Sequence, residues 1–300
     1  MTGKLLIGAH MSIAGGVHRA IELGARAGCR TVQMFLKNST QWKGKPLTLD
    51  ERERYRELRA ESRISPVLAH ASYLINLASP DEQLFERSSA ALAEEMERAN
   101  FLEVPFLILH PGSHKGCGEA AGIARISSAL NRVLDRVPPP VTVLLENTAG
   151  QGASIGDTFE QLARLYEGTR AKERIGFCLD TCHLHAAGYD IRTQQAFLRT
   201  LREFDRLIGL DRVRAWHVND SKAELGRRLD RHAHIGQGTI GLEAFRALVN
   251  DRRLANVPKI LETPKGPDLR EDLMNLAVLR SLHRTGQGRG SRIRPQQRVG

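Results

Sequence analysis

The sequence predicts a single (β/α)8 barrel (TIM barrel) of the α/β class, with its functional site at the carboxyl-terminal rim of the strands. Three observations predict this fold. Short apolar runs recur along the chain at the spacing of βα units, and amphipathic stretches with charged faces lie between them. No stretch rich in Pro, Gly and Ser separates two domains before residue 284. We therefore expect one barrel domain over residues 1–283.

The apolar runs are expected to form the eight strands of this barrel. They cover residues 5–9, 31–36, 66–69, 106–109, 141–145, 175–179, 213–218 and 258–261. Runs this apolar are typical of parallel strands that are buried on both faces. Among the intervening helices, one is expected to have Ser79 as its cap and Pro80 in its first turn. Another is expected to run from Thr193 to Ile208.

The chain has a formal net charge of +10 at pH 7. A basic balance of this size attracts polyanions, above all nucleic acid. Residues 284–300 contain five arginines and no acidic residue among Gly, Ser, Gln and Pro. We expect them to form a disordered tail, and either of two roles is open to it: solubilising the protein or binding nucleic acid.

The compartment is predicted from the cysteines and from the lack of targeting signals. The four cysteines form no CxxC motif, and the N-terminal residues do not resemble a signal peptide. No apolar run approaches the ~18 residues that a membrane span needs. We therefore expect a cytoplasmic protein with no membrane partner. Cys178 and Cys182 flank Asp180, which would allow a metal role, but the preferred interpretation of Cys178 is an ordinary strand-core residue.

Imidazoles and carboxylates follow the predicted strands at their carboxyl-terminal ends, where the active sites of such barrels lie. Nine candidate metal ligands are expected to meet there: His70, His110, Glu146, Asp180, His183, His217, Asp230, His232 and Glu262. Any one of them has an ordinary alternative, since a histidine after a strand is often a core residue and a carboxylate often caps the next helix. If all nine were buried together without a cation, the carboxylates would repel one another and the loss of hydration would cost much free energy. Zinc or a similar ion would balance them, at roughly three or four ligands per ion.

Several segments resemble the endonuclease IV family of apurinic/apyrimidinic endonucleases. They are residues 8–12 (GAHMS), 70–77 (HASYLINL), 109–113 (LHPGS), 145–152 (LENTAGQG), 179–183 (LDTCH), 187–190 (AGYD), 217–222 (HVNDSK), 230–232 (DRH) and 261–263 (LET). The resemblance extends from about residue 5 to residue 283. It implies a hydrolase of base excision repair, a deoxyribonuclease that cuts duplex DNA on the 5′ side of an abasic site. The implied products are a 3′-hydroxyl and a 5′-deoxyribose phosphate, formed by a metal-bound hydroxide, and the implied assembly is a monomer.

The same resemblance implies three zinc ions per chain. The first would be held by His70, His110 and Glu146, and Glu146 would bridge to the second. Asp180, His217 and Glu262 would complete the second site, and His183, Asp230 and His232 would hold the third. Glu146 and Glu262 would be the catalytic carboxylates, Glu262 by orienting the nucleophile. His10 and His234 fit no ligand position, so they are interpreted either as neighbours of the metals and phosphate or as structural residues.

The resemblance also implies residues that contact DNA. Tyr73 and Leu74 match the positions that wedge into the duplex, although ordinary packing of a loop is the alternative for both. Thr40 stands where family members often have an inserting arginine, and Ala71 replaces a residue that is often polar. Either recognition is weaker in this chain, or Lys37, Lys43 or Lys45 compensates for the missing arginine.

Two rival functions are weighed against this one. A sugar isomerase or epimerase of the same barrel type would use Glu146, Asp180, His217 and Glu262 around one metal ion. It would have no use for the other five candidate ligands, and sugars would not account for the basic charge. A zinc-bearing protein that binds DNA without catalysis is the second rival, since the sequence alone does not separate binding from cleavage.

Overall fold

Eight parallel strands close into a barrel in chain order in a computed structural model, which describes residues 5–283. They are β1 Ile7–His10, β2 Thr31–Phe35, β3 Val67–His70, β4 Phe106–Leu109, β5 Thr142–Glu146, β6 Ile175–Asp180, β7 Val213–His217 and β8 Lys259–Leu261. The predicted barrel is confirmed, with strand bounds within two residues of those expected. The basic tail predicted for residues 284–300 lies outside the described residues.

Nine α-helices follow the strands within residues 5–283. They are α1 His18–Arg26, α2 Leu49–Ser62, α3 Glu82–Phe101, α4 Glu119–Arg136, α5 Phe159–Gly168, α6 Thr181–Ala187, α7 Gln194–Leu207, α8 Leu242–Asn250 and α9 Arg270–Leu282. None of the helices in this part of the chain is both long and apolar enough to cross a membrane.

The predicted cap of α3 is wrong, whereas the predicted extent of α7 is confirmed to within one residue at each end. Asp81 has an extended backbone, and its carboxylate accepts a hydrogen bond from the Leu84 amide at 2.8 Å, so Asp81 is the N-cap of α3. Ser79 accepts instead from the Asp81 amide, within the preceding turn. In α7, Thr193 is the N-cap and accepts from the Ala196 amide at 3.1 Å.

The barrel closes where β1 pairs with β8, so that the first and last strands lie side by side. Gly8 is the register partner of Ile260 at this seam and of Thr31 on its other side. A Cβ at Gly8 would lie 1.6 Å from the Thr31 carbonyl oxygen, so the pairing of β1 with β2 leaves no room for a side chain there. The seam therefore brings chain segments about 250 residues apart into contact.

Apolar side chains fill the barrel below its carboxyl-terminal rim. One residue from each of β3 to β8 contributes to this inner layer: Leu68, Ile108, Leu144, Cys178, Ala215 and Ile260. The interpretation of Cys178 as a strand-core residue is thus supported, and burial raises the pKa of its thiol to about 12. Above this layer, register places Glu146 beside Cys178 and Asp180 beside His217.

Candidate metal centre

The nine predicted ligands meet at the carboxyl-terminal rim in three groups. In each group the possible donor atoms all lie within 4.8 Å of one another. The groups are His70, His110 and Glu146; then Glu146, Asp180, His217 and Glu262; then His183, Asp230 and His232. Glu146 belongs to the first two. A further combination, Asp180 with Cys182 and His232, overlaps the second and third groups.

Glu146 faces the first group with one oxygen and the second group with the other. Its Oε2 lies 3.2 Å from His70 Nε2 and 3.0 Å from His110 Nε2. Its Oε1 lies 2.8 Å from His217 Nδ1. The side chain is fully buried, so this orientation is fixed by packing, and the carboxylate is placed to be shared by two cations.

The second group is completed from β6, β7 and the end of β8. His217 Nδ1 lies 3.2 Å from Glu262 Oε2 and 3.9 Å from Asp180 Oδ2. Asp180 is itself held by two donors, the Asn219 side-chain amide at 2.6 Å and the His183 backbone amide at 2.9 Å. These hydrogen bonds orient the carboxylate without using its whole capacity to accept.

The third group lies on α6 and on the loop that follows β7. Asp230 stands between two imidazoles, with Oδ2 3.2 Å from His183 Nε2 and Oδ1 3.1 Å from His232 Nε2. The Nε2 atom of His232 is buried and has no hydrogen-bond partner despite this proximity. A buried nitrogen without a partner is costly, and a metal ion at this group would satisfy it.

Hydrogen bonds to backbone carbonyls fix the tautomers of three imidazoles. Nδ1 of His70 donates to the Ala71 carbonyl at 2.7 Å, and Nδ1 of His183 donates to the Asn147 carbonyl at 2.9 Å. Nδ1 of His232 donates to the Glu262 carbonyl at 3.0 Å. Each ring therefore turns an Nε2 lone pair toward its group, as expected of a metal-ligating histidine with a fixed second nitrogen.

Asp220 holds the loop that carries Asp230 and His232. Its fully buried carboxylate accepts from the backbone amides of Ser221 at 2.8 Å, Gly236 at 2.9 Å and Ile240 at 3.0 Å. A Cβ at Gly238 would lie 2.3 Å from the Ser221 carbonyl oxygen and 2.4 Å from Asp220 Oδ1. A glycine at position 238 is therefore required for the backbone to fold closely around Asp220.

The charges of the centre depend on one another. Burial alone would raise the pKa of Glu146, but the imidazoles of His217 and His110 hold it well below its ordinary value. Burial would lower the pKa of His232, but Asp230 and Asp180 raise it to about 9. Protons on the imidazoles thus balance the carboxylates when no metal is bound. Divalent ions supply the same positive charge and release those protons, so the donor set fits zinc.

Sequence reasoning missed Gln33, Asn147, Asn219 and Asp220 as supports of the centre. The Asn147 side-chain oxygen accepts from the Asp180 amide at 2.7 Å, and the Asn219 oxygen accepts from the Glu262 amide at 2.8 Å. Of the two extra histidines, His10 lies 3.6 Å from Glu262 through its Nδ1. His234 contacts Asn275 on α9 at 3.1 Å instead, which is a structural position.

Lys37 is buried in the structure, which contradicts its predicted role as a DNA contact. Its ammonium is buried and lies 2.6 Å from the Glu95 carboxylate on α3. An ammonium neutralised in the interior does not reach a phosphate. Thr40 is exposed and its hydroxyl donates to the Asn38 side chain at 2.8 Å. Lys43 and Lys45 are also exposed.

A cleft of about 540 Å³ opens beside the first and third groups. Its wall includes Tyr73, Leu74 and Trp42 as well as the candidate ligands His110, His183 and Asp230. Tyr73 is 61% exposed, although its ring centroid lies 5.2 Å from that of His70 and 5.9 Å from that of His110. A large aromatic side chain is therefore presented to solvent directly beside the candidate metal groups.

The chain is similar in sequence and fold to several known proteins. The family model for xylose isomerase-like TIM barrels matches residues 21–282. A probable endonuclease 4 of Chloroflexus aurantiacus is 53% identical over 276 residues, covering 92% of this chain and 97% of that protein. The crystal structure of endonuclease IV from Thermus thermophilus matches with a TM-score of 0.82 and 40% identity, over 92% of this chain and 98% of that one. A D-tagatose 3-epimerase-like protein has a TM-score of 0.70 at 17% identity, over 92% and 96% of the two chains, and so shares the fold alone.

Proposed function

The chain belongs to the endonuclease IV family, and we propose on that basis that it hydrolyses the phosphodiester bond on the 5′ side of an abasic site in duplex DNA. The proposed products are a 3′-hydroxyl and a 5′-deoxyribose phosphate. The observation that carries this proposal is the set of three ligand groups, of which the first two share Glu146 and the first and third line the cleft beside Tyr73.

Three zinc ions are the proposed cofactors. All nine donors are imidazole nitrogens or carboxylate oxygens, which zinc accepts at three or four per site. The fixed tautomers of His70, His183 and His232 and the unpartnered Nε2 of His232 support ligation by these rings. When bound, zinc ions lower the pKa of a coordinated water and neutralise charge on a phosphate.

The two proposed catalytic carboxylates have different surroundings. Glu146 is fully buried and is committed to two groups by both oxygens, so its role is to hold those groups at a fixed separation. Glu262 is partly exposed, with Oε2 turned toward the second group. A carboxylate that is accessible at the rim can orient an attacking water by accepting a hydrogen bond from it.

Recognition of the lesion is proposed to depend on shape. A nucleotide without its base unstacks at low cost, so extruding it from the duplex requires less free energy than extruding an intact nucleotide. Tyr73 and Leu74 are proposed to occupy the gap from the minor groove, as apolar wedges do in other DNA-bending proteins. The exposure of Tyr73 beside His110 supports this role, because the wedge would then lie next to the phosphate to be cut.

The sugar-epimerase alternative uses only part of the site. A single-metal centre would need the second group alone, and it would leave His70, His110, His183, Asp230 and His232 without a purpose. The donor atoms of these five side chains belong to the first and third groups, in which all donor atoms lie within 4.8 Å of one another. Their arrangement therefore favours the nuclease. Binding without cleavage stays as the second alternative, and an assay of cleavage on an abasic duplex distinguishes it from the nuclease.

The test uses a duplex with one abasic site, labelled at its 5′ end. Protein loaded with zinc should nick this duplex, leave an undamaged duplex intact and stop cutting when the metal is removed by a chelator. End-group analysis should find a 3′-hydroxyl on the labelled fragment. Glu146→Gln should cut neither duplex and should hold less zinc. Tight binding without nicking by protein that carries three zinc ions would contradict the proposal and favour the non-catalytic alternative.

A further inference from the structure

Gln33 lies on β2, which supplies none of the nine candidate ligands. Its side chain is fully buried, in a strand whose other residues are apolar except for Thr31. We propose that Gln33 is a positioning residue, which fixes the tautomer of His217 and presents a single oxygen of Glu262 to the metal. The inference rests on the zinc centre of the proposed function.

The two ends of the Gln33 amide contact different members of the second group. The carbonyl oxygen Oε1 lies 2.7 Å from His217 Nε2. The amide nitrogen Nε2 donates to Glu262 Oε1 at 2.6 Å and lies 2.9 Å from His10 Nδ1. One neutral side chain therefore connects the ends of β1, β7 and β8.

The donor and acceptor roles of this network follow from Glu262. An ionised carboxylate only accepts hydrogen bonds, so the NH2 end of Gln33 must face it. The carbonyl end then faces His217, and it can only accept. His217 must therefore carry a proton on Nε2, so Nδ1 is the atom left for a metal, and it lies 2.8 Å from Glu146 Oε1 and 3.2 Å from Glu262 Oε2.

His217 is thus held in a different way from the other ligand rings whose tautomer is fixed. His70, His183 and His232 each donate from Nδ1 to a backbone carbonyl and present Nε2. His217 presents Nδ1, and a side chain accepts from its Nε2. Because a side chain can be replaced, the tautomer of this ligand alone among the four is open to control by a single substitution.

The same amide divides the two oxygens of Glu262. Oε1 is occupied by the Gln33 donor, and Oε2 faces His217. Glu262 is therefore set to ligate through one oxygen only. The second hydrogen of the Gln33 amide is directed to His10 Nδ1, so His10 carries its own proton on Nε2 and is a hydrogen-bond donor through that atom.

The test compares Gln33→Met with Gln161→Met. Methionine has nearly the volume of glutamine but lacks its donor and acceptor. Gln161 is also buried, and both ends of its amide are hydrogen-bonded, to the Gly156 amide and to Glu119, but neither partner is one of the nine candidate ligands. Partners that orient ligands typically contribute about 10–100-fold to metal affinity. In chelator competition without DNA, Gln33→Met should lose one of its zinc ions about 10–100-fold more readily than the unaltered chain, and Gln161→Met should match the unaltered chain.

A measurement on the unaltered protein tests the inference even if Gln33→Met does not fold. In the zinc-loaded chain, nitrogen-15 spectra of the imidazoles should show His217 with metal on Nδ1 and a slowly exchanging proton on Nε2. Metal on Nε2 of His217, or a Gln33→Met protein that retains all of its zinc as tightly as the unaltered chain, would overturn the inference. An unaltered chain that binds no zinc would instead refute the proposed function, so the two failures are distinguishable.

Discussion

The buried ion pair of Lys37 and Glu95 is expected to hold the loop that carries Tyr73. Glu95 on α3 accepts from the Lys37 ammonium at 2.6 Å and from the Ser72 amide at 3.2 Å, and Tyr73 follows directly. Glu95→Gln would leave a buried ammonium without an anion, which costs about 3–5 kcal/mol. For a domain of this size, such a loss corresponds to a drop in Tm on the order of 10 °C.

The companion variant Lys37→Met should lose less stability than Glu95→Gln, and the size of its loss should depend on pH. Burial raises the pKa of Glu95 above its ordinary value of 4.5 even though Lys37 opposes the shift. Without Lys37 the pKa rises further, and the folded protein binds a proton at Glu95 more tightly than the unfolded chain does. The free energy of unfolding of Lys37→Met should therefore fall, relative to the unaltered chain, as the pH rises from about 4.5 through the raised pKa.

The free energies of unfolding in urea of the unaltered chain, the two single variants and the double variant Lys37→Met/Glu95→Gln form a double-mutant cycle. The double variant should be more stable than Glu95→Gln, because it buries no unpaired charge. Both single variants should keep their zinc, and Glu95→Gln should bind abasic duplex more weakly because the loop before Tyr73 is released. Additive losses in the double variant, or a Lys37→Met protein with the pH profile of the unaltered chain, would refute this reasoning.

Three further outcomes are expected. Tyr73→Ala should keep its full zinc content but weaken binding to abasic duplex by about 1–3 kcal/mol, the usual contribution of an aromatic stack on a base; equal affinity would remove Tyr73 from the interface. Asp220→Ala leaves three backbone amides without their acceptor, at about 1–3 kcal/mol each, and should release zinc first from the group of Asp230 and His232. Full zinc content in a folded Asp220→Ala protein would contradict that account. Deletion of residues 284–300 should reduce the salt dependence of nonspecific DNA binding by ~0.9 in log–log slope for each phosphate that these residues neutralise, and an unchanged slope would leave the segment with a solubilising role.

The barrel was predictable because its strands are short and apolar and alternate with helical stretches. A run such as residues 106–109 has no polar residue, and a parallel strand covered on both faces is the simplest structure that buries it. The ligand positions followed from the same strands, since His70, Glu146 and His217 each close one of them. Ligands at strand ends can thus be predicted from the sequence, because the geometry of a parallel barrel brings the side chains at those ends together on one rim.

The errors concern side chains whose partners lie elsewhere in the sequence. A lysine near a basic loop, such as Lys37, is usually exposed and free to contact DNA, but its partner Glu95 is 58 positions away. A signal was present: Glu95 occupies the apolar face of α3 between Leu92 and Met96, where an acid is costly unless it is paired. The Ser79 cap failed for a local reason, because Asp81 lies closer to the first free amides of the helix.

Gln33 was missed because it is neither charged nor a usual metal ligand. Its partners His217 and Glu262 lie 184 and 229 positions further along the chain. The only sequence signal was a polar residue in an apolar strand, which by itself indicates a buried hydrogen bond and not the identity of its partner. Sequence patterns thus locate the ligands, while the residues that orient them depend on how distant strands are aligned.

The seam between the first and last strands has a consequence for how the protein is made. Gln33 is synthesised early and Glu262 late, so the contact between them cannot form until almost the whole chain has left the ribosome. A nascent chain that stops short of β8 has neither a closed sheet nor the complete second ligand group. A chain that ends before β8 lacks Glu262, so the second ligand group is complete only after the last strand of the barrel has been made.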